Sequence, residues 1–304
     1  MKSICIFGIF VADLCFFSHT IPIRGQTVLG TKHLVGPGGK GSNQAIAAAR
    51  LGGDVKFITK LGKDNHAEMA LSLYKNSGME TDAIIQDPNL TTGVAGIMID
   101  EKTGDNIINV VPGAAADLSN KDIDKKINLI KNSNIFLTQL ETPPDVTSYA
   151  LNKAKESGNI TILNPAPAAK INANDFKSID FFTPNEKEAG FYLNKNIQTN
   201  NDIEEAANDL LKKGIKNIVI TLGSKGVYFA NDKEKYYVDA FKLKTKVVDT
   251  TGAGDAFNGA FAFALANEYE NKEALKFANK VAGISTTKLG AANSMPTIEE
   301  VNKY

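Results

Sequence analysis

The chain is expected to fold as an α/β protein, with a mostly parallel sheet covered by helices. Three observations carry that expectation. Short apolar runs of strand length alternate with amphipathic helical stretches along the 304 residues. No repeat, low-complexity tract or long linker divides them, so residues 1–304 are read as one domain. Two stretches break the alternation with extended, turn-punctuated runs, which places a small β-sheet apart from the main layer.

In chain order the strand candidates are 3–7, 55–59, 134–140, 160–164, 181–183 and 217–222. Each is a brief apolar run that ends in turn residues. Helical spacing of apolar residues marks 42–51, 67–77, 121–132, 146–156, 186–193 and 203–213 between them, and 255–266 and 272–287 after them. The interrupting stretches, about 13–37 and 93–111 in all, include the runs 94–99 and 106–111. Thr103-Gly104-Asp105 between those runs reads as a hairpin turn, and the small sheet as a candidate lid.

Composition narrows the function classes. Hydrophobic residues make up 43% and charged residues 22%, as in globular proteins, and Lys+Arg equals Asp+Glu at 34 each. A zero formal charge argues against bulk attraction to nucleic acid or to an anionic membrane. Cys5 and Cys15 are the two cysteines; with no CxxC and no Cys/His cluster, they are read as buried reduced thiols, not a disulfide framework or zinc site. The apolar run 4–17 is interrupted by Gly8 and Asp13 and lacks a cleavage site, so it is read as a buried strand entering a functional loop, and the protein as cytoplasmic. His19, His33 and His66 show no triad spacing, and no G-x-S-x-G or H-E-x-x-H occurs.

The most informative segment is Val247-Val248-Asp249-Thr250-Thr251-Gly252-Ala253-Gly254-Asp255-Ala256-Phe257. Two β-branched residues are read as the end of a strand. A glycine turn then feeds a helix whose first N–H groups and positive dipole end can hold an anion. Asp255 sets a candidate base beside that anion, which suits a phosphoryl group and a hydroxyl to be deprotonated. A strand–turn–helix joint with an aspartate cap is the bland alternative.

Other segments fall on the same side of the expected sheet. The cluster from Gly36 to Ala45 holds Gly39, Lys40, Gly41 and Asn43 ahead of an alanine-rich helix. It is not a Walker A loop, because Gly41 and Ser42 follow Lys40; its bare backbone and polar donors suit a phosphate or a polyhydroxylated ligand equally. Asp13 and Glu141 each sit at or just past the end of an expected parallel strand, the edge where α/β sheets bind ligands. Asn185 and Glu188, three apart at a helix start, can orient a hydrated Mg²⁺ or simply cap the helix. Thr221, Gly223, Ser224 and Gly226 suit nucleotide phosphates or ribose, although a tight hairpin into 227–230 explains them without a ligand.

In order and spacing these segments resemble the ribokinase-like (PfkB) carbohydrate kinases, the ribokinase group most closely. The matching strings are Gly-Gly-Lys-Gly-x-Asn at 38–43, Gln-Leu-Glu at 139–141, Asn-Pro-Ala-Pro-Ala at 164–168, Thr-Pro-Asn-Glu at 183–186, Thr-Leu-Gly-Ser-x-Gly at 221–226 and Asp-Thr-Thr-Gly-Ala-Gly-Asp at 249–255. The resemblance implies a three-layer α/β/α sandwich with a small β lid that closes over a sugar and forms a homodimer contact. It implies ATP-dependent phosphorylation of a free sugar, D-ribose to ribose 5-phosphate first, with 2-deoxyribose, fructose or another ketose, or a nucleoside as alternatives. By the same resemblance Asp255 is the base and Gly252, Ala253 and Gly254 form the anion hole. Asp13, Gly39, Lys40, Gly41, Asn43 and Glu141 hold the sugar, and Asn185, Thr221, Gly223, Ser224, Gly226, Gly254 and Asn279 contact ATP. Glu188 places Mg²⁺ through water, and Asp249, Thr251, Ser285, Lys288, Gly290 and Ser294 surround an activating K⁺.

One position departs from the family pattern. Val11 stands where an asparagine precedes the sugar-binding aspartate by two residues. Leaving a buried sugar hydroxyl unpaired costs about 1–3 kcal/mol, so Val11 points to a sugar lacking that hydroxyl or bound in another pose. A sugar-binding regulator on a kinase scaffold is the alternative outside the enzyme class.

Overall fold

The computed structural model describes residues 2–304. The first strands are β1 (Ile4–Phe7), β2 (Val11–Ser18) and β3 (Lys32–Gly38), followed by α1 (Lys40–Arg50). Next come β4 (Val55–Ile58), β5 (Lys60–Leu61), α2 (Asn65–Asn76), β6 (Ile85–Gln86), β7 (Thr92–Asp100) and β8 (Asn106–Gly113). A regular alternation follows: α3 (Asn120–Lys131), β9 (Ile135–Thr138), α4 (Pro144–Glu156), β10 (Ile160–Leu163), β11 (Phe181–Phe182), α5 (Glu186–Leu193), α6 (Asn200–Leu211) and β12 (Asn217–Thr221). The chain ends with β13 (Val227–Ala230), β14 (Lys235–Val238), α7 (Ala253–Ala266), α8 (Asn271–Ser285) and α9 (Ile298–Lys303).

The main sheet runs β14-β13-β12-β11-β10-β9-β1-β4. Strands from β4 to β12 are parallel, and β13 and β14 return antiparallel at one edge. The period-2 alternation of a strand explains why the runs are apolar throughout. Ile4 and Ile6 of β1 face one buried cluster with α1, α7 and α8, while Cys5 and Phe7 face another with α3, α4 and α6. A parallel sheet covered on both faces has no solvent side on which to place polar residues. The expected α/β class and its helix-covered sheet are thus observed.

A second sheet, β3-β2-β7-β8, gathers the two interrupting stretches. β2 pairs with β7 in parallel, and the outer strands pair antiparallel. The chain turns at Gly104, φ 78°, between β7 and β8. No helix among the described residues is long and apolar enough to cross a membrane.

Three sequence expectations are corrected. Val247 and Val248 finish no strand: both are about half exposed, and the Val248 and Asp249 amides donate to the Thr286 carbonyl at 2.8 and 3.1 Å. The segment crosses the end of α8 instead of joining a sheet, and β propensity had no partner strand there. Asp13 lies inside β2 of the small sheet, opposite Gly36 and Ala95, not past a main-sheet strand. Cys5 is buried, but Cys15 on the small sheet is only half-buried.

Candidate active site

The alanine-rich face of α1 and the small residues of α7 set the geometry. A Cβ built on Gly259 would lie 2.4 Å from the Gln44 carbonyl and 2.7 Å from Ala47 Cβ, so the two helices are in near-backbone contact. That approach brings two consecutive α1 amides onto one carboxylate. Asn43 Nδ2 donates to Asp255 Oδ2 at 2.9 Å, and Gln44 Nε2 donates to Asp255 Oδ1 at 3.0 Å. Asp255 is buried, and its carboxylate is held by these side chains and not by amides of its own helix.

Gly252 precedes α7 with φ 78°, and a Cβ there would meet Ala291 at 2.9 Å, so the turn admits only glycine. A Cβ on Gly254 would meet nothing within 4 Å, so this face of the turn is open. The Ala253 amide, expected in the anion hole, donates instead to the Thr250 carbonyl at 3.2 Å. Among the described residues the amides of Gly252, Gly254 and Asp255 have no partner. The turn therefore offers a different trio of donors, at the positive end of a helix buried from Asp255 to Ala266.

Three carboxylates and one ammonium share the place between α1 and the small sheet. The Asp13 carboxylate lies against the bare Cα of Gly38, where a Cβ would sit 2.3 Å from its Oδ1. Glu141, past the end of β9, accepts the Lys40 amide at 2.8 Å at the start of α1. Burial first, and then the Asp255 charge, raise Asp13 to about 6. Burial also lifts Glu141 to about 7, against the opposing pull of Lys40. Burial raises Asp255 as well, while Lys40, Asn43 and Gln44 oppose it. Burial lowers Lys40, but Asp255, Glu141 and Glu188 outweigh it and keep the ammonium charged. The site concentrates negative charge around one cation and leaves Asp13 and Glu141 titrating near neutrality.

Val11 is buried at 4% exposure and packs towards Gly93, where a Cβ would lie 3.0 Å from its Cγ1. It brings no polar atom to that wall.

Beyond the turn at Gly254 opens a crevice of about 450 Å³ bordered by Thr221, Gly223, Ser224, Gly226, Gly254 and Asn279. Phe241, Leu243, Val247 and Ala282 give it apolar walls suited to a flat heterocycle. Sequence reading missed these walls, although the apolar residues within the loop after β14 were a usable signal. Asn279 spends its amide donors on the Val238 and Asp239 carbonyls at 3.2 and 3.0 Å, which fixes the end of β14. Asn185 lies outside the crevice lining and forms a reciprocal cap with Glu188, both contacts at 2.8 Å. That pairing needs no ligand, but it uses only one Glu188 oxygen, and burial raises that carboxyl. The Glu188 oxygen outside the cap is a single carboxylate donor, which fits an ion carried mainly by phosphates, needing few protein ligands.

The residues expected around K⁺ come together in part. Asp249 accepts the Thr251 and Gly290 amides, both at 2.9 Å, tying the turn to the loop after α8; these bonds hold its pKa down against burial. The Ser285 and Ser294 hydroxyls serve the Ala282 and Ala291 carbonyls, and Lys288 faces Glu300.

Comparison with known proteins agrees with this architecture. The family described as pfkB family carbohydrate kinase matches residues 1–298. The chain is 35% identical to ribokinase of Haemophilus influenzae over 303 residues, covering 100% of this chain and 98% of that protein. It is 33% identical to deoxyribokinase of Salmonella typhi, covering 99% and 98%. The solved structure of Arabidopsis thaliana ribokinase complexed with ribose and ATP superposes with a TM-score of 0.93 at 29% identity, covering 99% of this chain and 98% of that one.

Proposed function

The chain belongs to the pfkB family of carbohydrate kinases, and on that premise we propose that it phosphorylates the primary hydroxyl of a free pentose, D-ribose first. The observation that carries this reading is the buried Asp255 carboxylate beside the unpaired amides of Gly252, Gly254 and Asp255. Asp255 takes the proton of the sugar hydroxyl as its oxygen bonds to the γ-phosphorus of ATP, and the bond to the ADP oxygen breaks. The free amides stabilise the charge on the transferring group; positioning and charge stabilisation are what phosphoryl transfer demands. Asp13, Lys40, Asn43 and Glu141 bind the sugar hydroxyls, with Gly39 and Gly41 keeping the backbone close. ATP occupies the crevice from Thr221 to Asn279, and the unspent Glu188 oxygen would help hold hydrated Mg²⁺, which would supply charge neutralisation to the phosphates. Asp249, which ties the turn to the loop after α8, would hold K⁺ beside it, and the ion's charge would help keep the turn ordered. The small sheet closes over the sugar as a lid and pairs with that of a second copy.

A second reading, 2-deoxyribose as the preferred sugar, is favoured by Val11, whose apolar side chain offers a hydroxyl no partner. The likeness to a deoxyribokinase points the same way.

One set of steady-state assays tests the proposal: Mg-ATP with ribose and with 2-deoxyribose, in K⁺ and in Na⁺, on the wild type and Asp255→Asn. The wild type should turn over at least one pentose faster in K⁺. Asp255→Asn should bind it calorimetrically and lose about a hundredfold or more in kcat. Unchanged turnover in that variant removes the base. A wild type that binds pentose without forming ADP is a regulator, and the ratio of kcat/KM values decides between the sugars.

A further inference from the structure

Gln44 was no part of the expected site, yet it is fully buried and its polar atoms are all engaged. Its Nε2 donates at 3.0 Å both to Asp255 Oδ1 and to Asn164 Oδ1, and its Oε1 accepts Gln139 Nε2 at 2.6 Å. From Asn164 the hydrogen bonds continue around the edge of the sheet. Asn164 Nδ2 donates to the Thr183 carbonyl at 3.2 Å, Thr183 Oγ1 to Asn258 Oδ1 at 2.6 Å, and Asn258 Nδ2 to the Gly254 carbonyl at 2.8 Å. The path leaves the carboxylate of Asp255 and returns to the peptide just before it. Its members come from α1, from the residues following β10 and β11, and from α7. The side chains of Gln44, Asn164, Thr183, Asn258 and Asp255 are all buried, so every bond but the half-buried last one to Gly254 is shielded from competition by water.

We propose that Gln44 is a positioning residue, which through this closed circuit fixes the Asp255 carboxylate relative to the phosphate-binding turn at Gly254. The proposal rests on the assignment of Asp255 as the base. A carboxylate hung on one side chain can rotate about its Cβ–Cγ bond. With Asn43 on Oδ2 and Gln44 on Oδ1 its plane is set, and the Asn258 link sets the height of the turn. Asn43 leaves its buried Oδ1 without a partner and is free to take a hydroxyl, whereas both ends of the Gln44 amide are engaged within the circuit and hold the carboxylate.

The same bond favours the ionised carboxylate. The other groups facing Asp255 are Lys40 from α1, Asp13 from β2, Glu141 after β9 and Glu188 from α5. Removing the Gln44 donor leaves burial and three like charges opposed only by Lys40 and Asn43, so Asp255 takes its proton at higher pH.

The test is Gln44→Met, close in shape and without the amide, assayed on the whole protein with Mg-ATP and the better of the two pentoses. The kcat should fall about tenfold to a hundredfold with pentose KM within about threefold, and the acid limb of kcat/KM should move up by about half a pH unit or more. Thr183→Val, nearly isosteric, cuts the circuit far from substrate and should lower kcat about threefold or more with the Tm kept within a few degrees. A folded Gln44→Met with wild-type kcat, or with lowered kcat but an unmoved acid limb, overturns the positioning role. If Gln44→Met does not fold, Thr183→Val decides, and wild-type kcat there overturns the circuit. Asp255→Asn in the same series separates the two failures: if it is inactive while Gln44→Met is normal, only the positioning fails, and if it is fully active the base itself is lost.

Discussion

Asp13 is a carboxylate whose burial works against the stability of the free protein. Burial and the Asp255 charge raise it to about 6 in the fold, above its ordinary 3.8. A carboxylate that holds its proton more tightly when folded contributes stability fully below its unfolded pKa. That contribution is lost as pH rises through about 6, and at pH 8 the ionised group is a penalty on the order of 1–3 kcal/mol. Asp13→Asn should therefore raise the Tm of the ligand-free protein at pH 8 and by roughly half as much at pH 5, where the unfolded carboxyl is already ionised, while weakening pentose binding about tenfold or more. Thermal melts at the two pH values check this. A Tm gain of equal size at both, or none at pH 8, would show that Asp13 carries no buried charge. Val11 is the counterpart of Asp13 in the proposed sugar site, where its buried apolar side chain would contribute only shape.

The start of α7 separates two glycines that look alike as letters. Gly252 has a left-handed backbone and its missing Cβ touches Ala291; Gly254 has helical dihedrals and open space where its Cβ would be. Gly252→Ala should cost about 1–3 kcal/mol of stability, since strain and clash act together. Gly254→Ala should leave the Tm unchanged or raise it, because alanine favours a helix by about 0.5–1 kcal/mol over glycine. Its methyl nevertheless projects where the phosphoryl group is proposed to lie, and kcat should drop about tenfold or more. Denaturant melts paired with turnover resolve the two. If Gly254→Ala keeps full kcat, the open face of the turn is not where the phosphate passes.

The small sheet leaves much apolar surface in water. Leu34 on β3 and Ile107, Ile108, Val110 and Val111 on β8 are each 44–57% exposed. β8 is also an edge strand, with unpaired backbone groups along its outer side. Strand alternation puts Leu34, Ile108 and Val110 on one face and Ile107 and Val111 on the other. Exposed apolar surface of this kind marks an interaction surface, and the proposed two-fold pairing with a second copy would cover the edge together with such a face. Ile108→Glu should then turn a wild-type dimer into a monomer at micromolar concentration in sedimentation velocity. A wild type that already sediments as a monomer would leave the sheet a lid and nothing more.

Local chemistry made the elements legible. A strand buried on both faces must be apolar at every position, and a glycine turn before an apolar helix leaves few other conformations. So β1, β9, β10 and β12 and the start of α7 could be read from neighbouring residues alone, as could the family strings around Asp255 and Lys40. What neighbours cannot encode is which side chains meet across hundreds of residues. Gln44 and Asn258 read as an ordinary amide near a helix start and an ordinary amide inside an apolar helix; only the near-contact of α1 and α7, permitted by Gly259, turns them into partners of Asp255 and Gly254. Val247-Val248 has the letters of a strand and no strand to pair with, and Ala253 gave its amide to Thr250. Such outcomes depend on long-range packing, where the free energy of each contact is set by what else arrives at the same place.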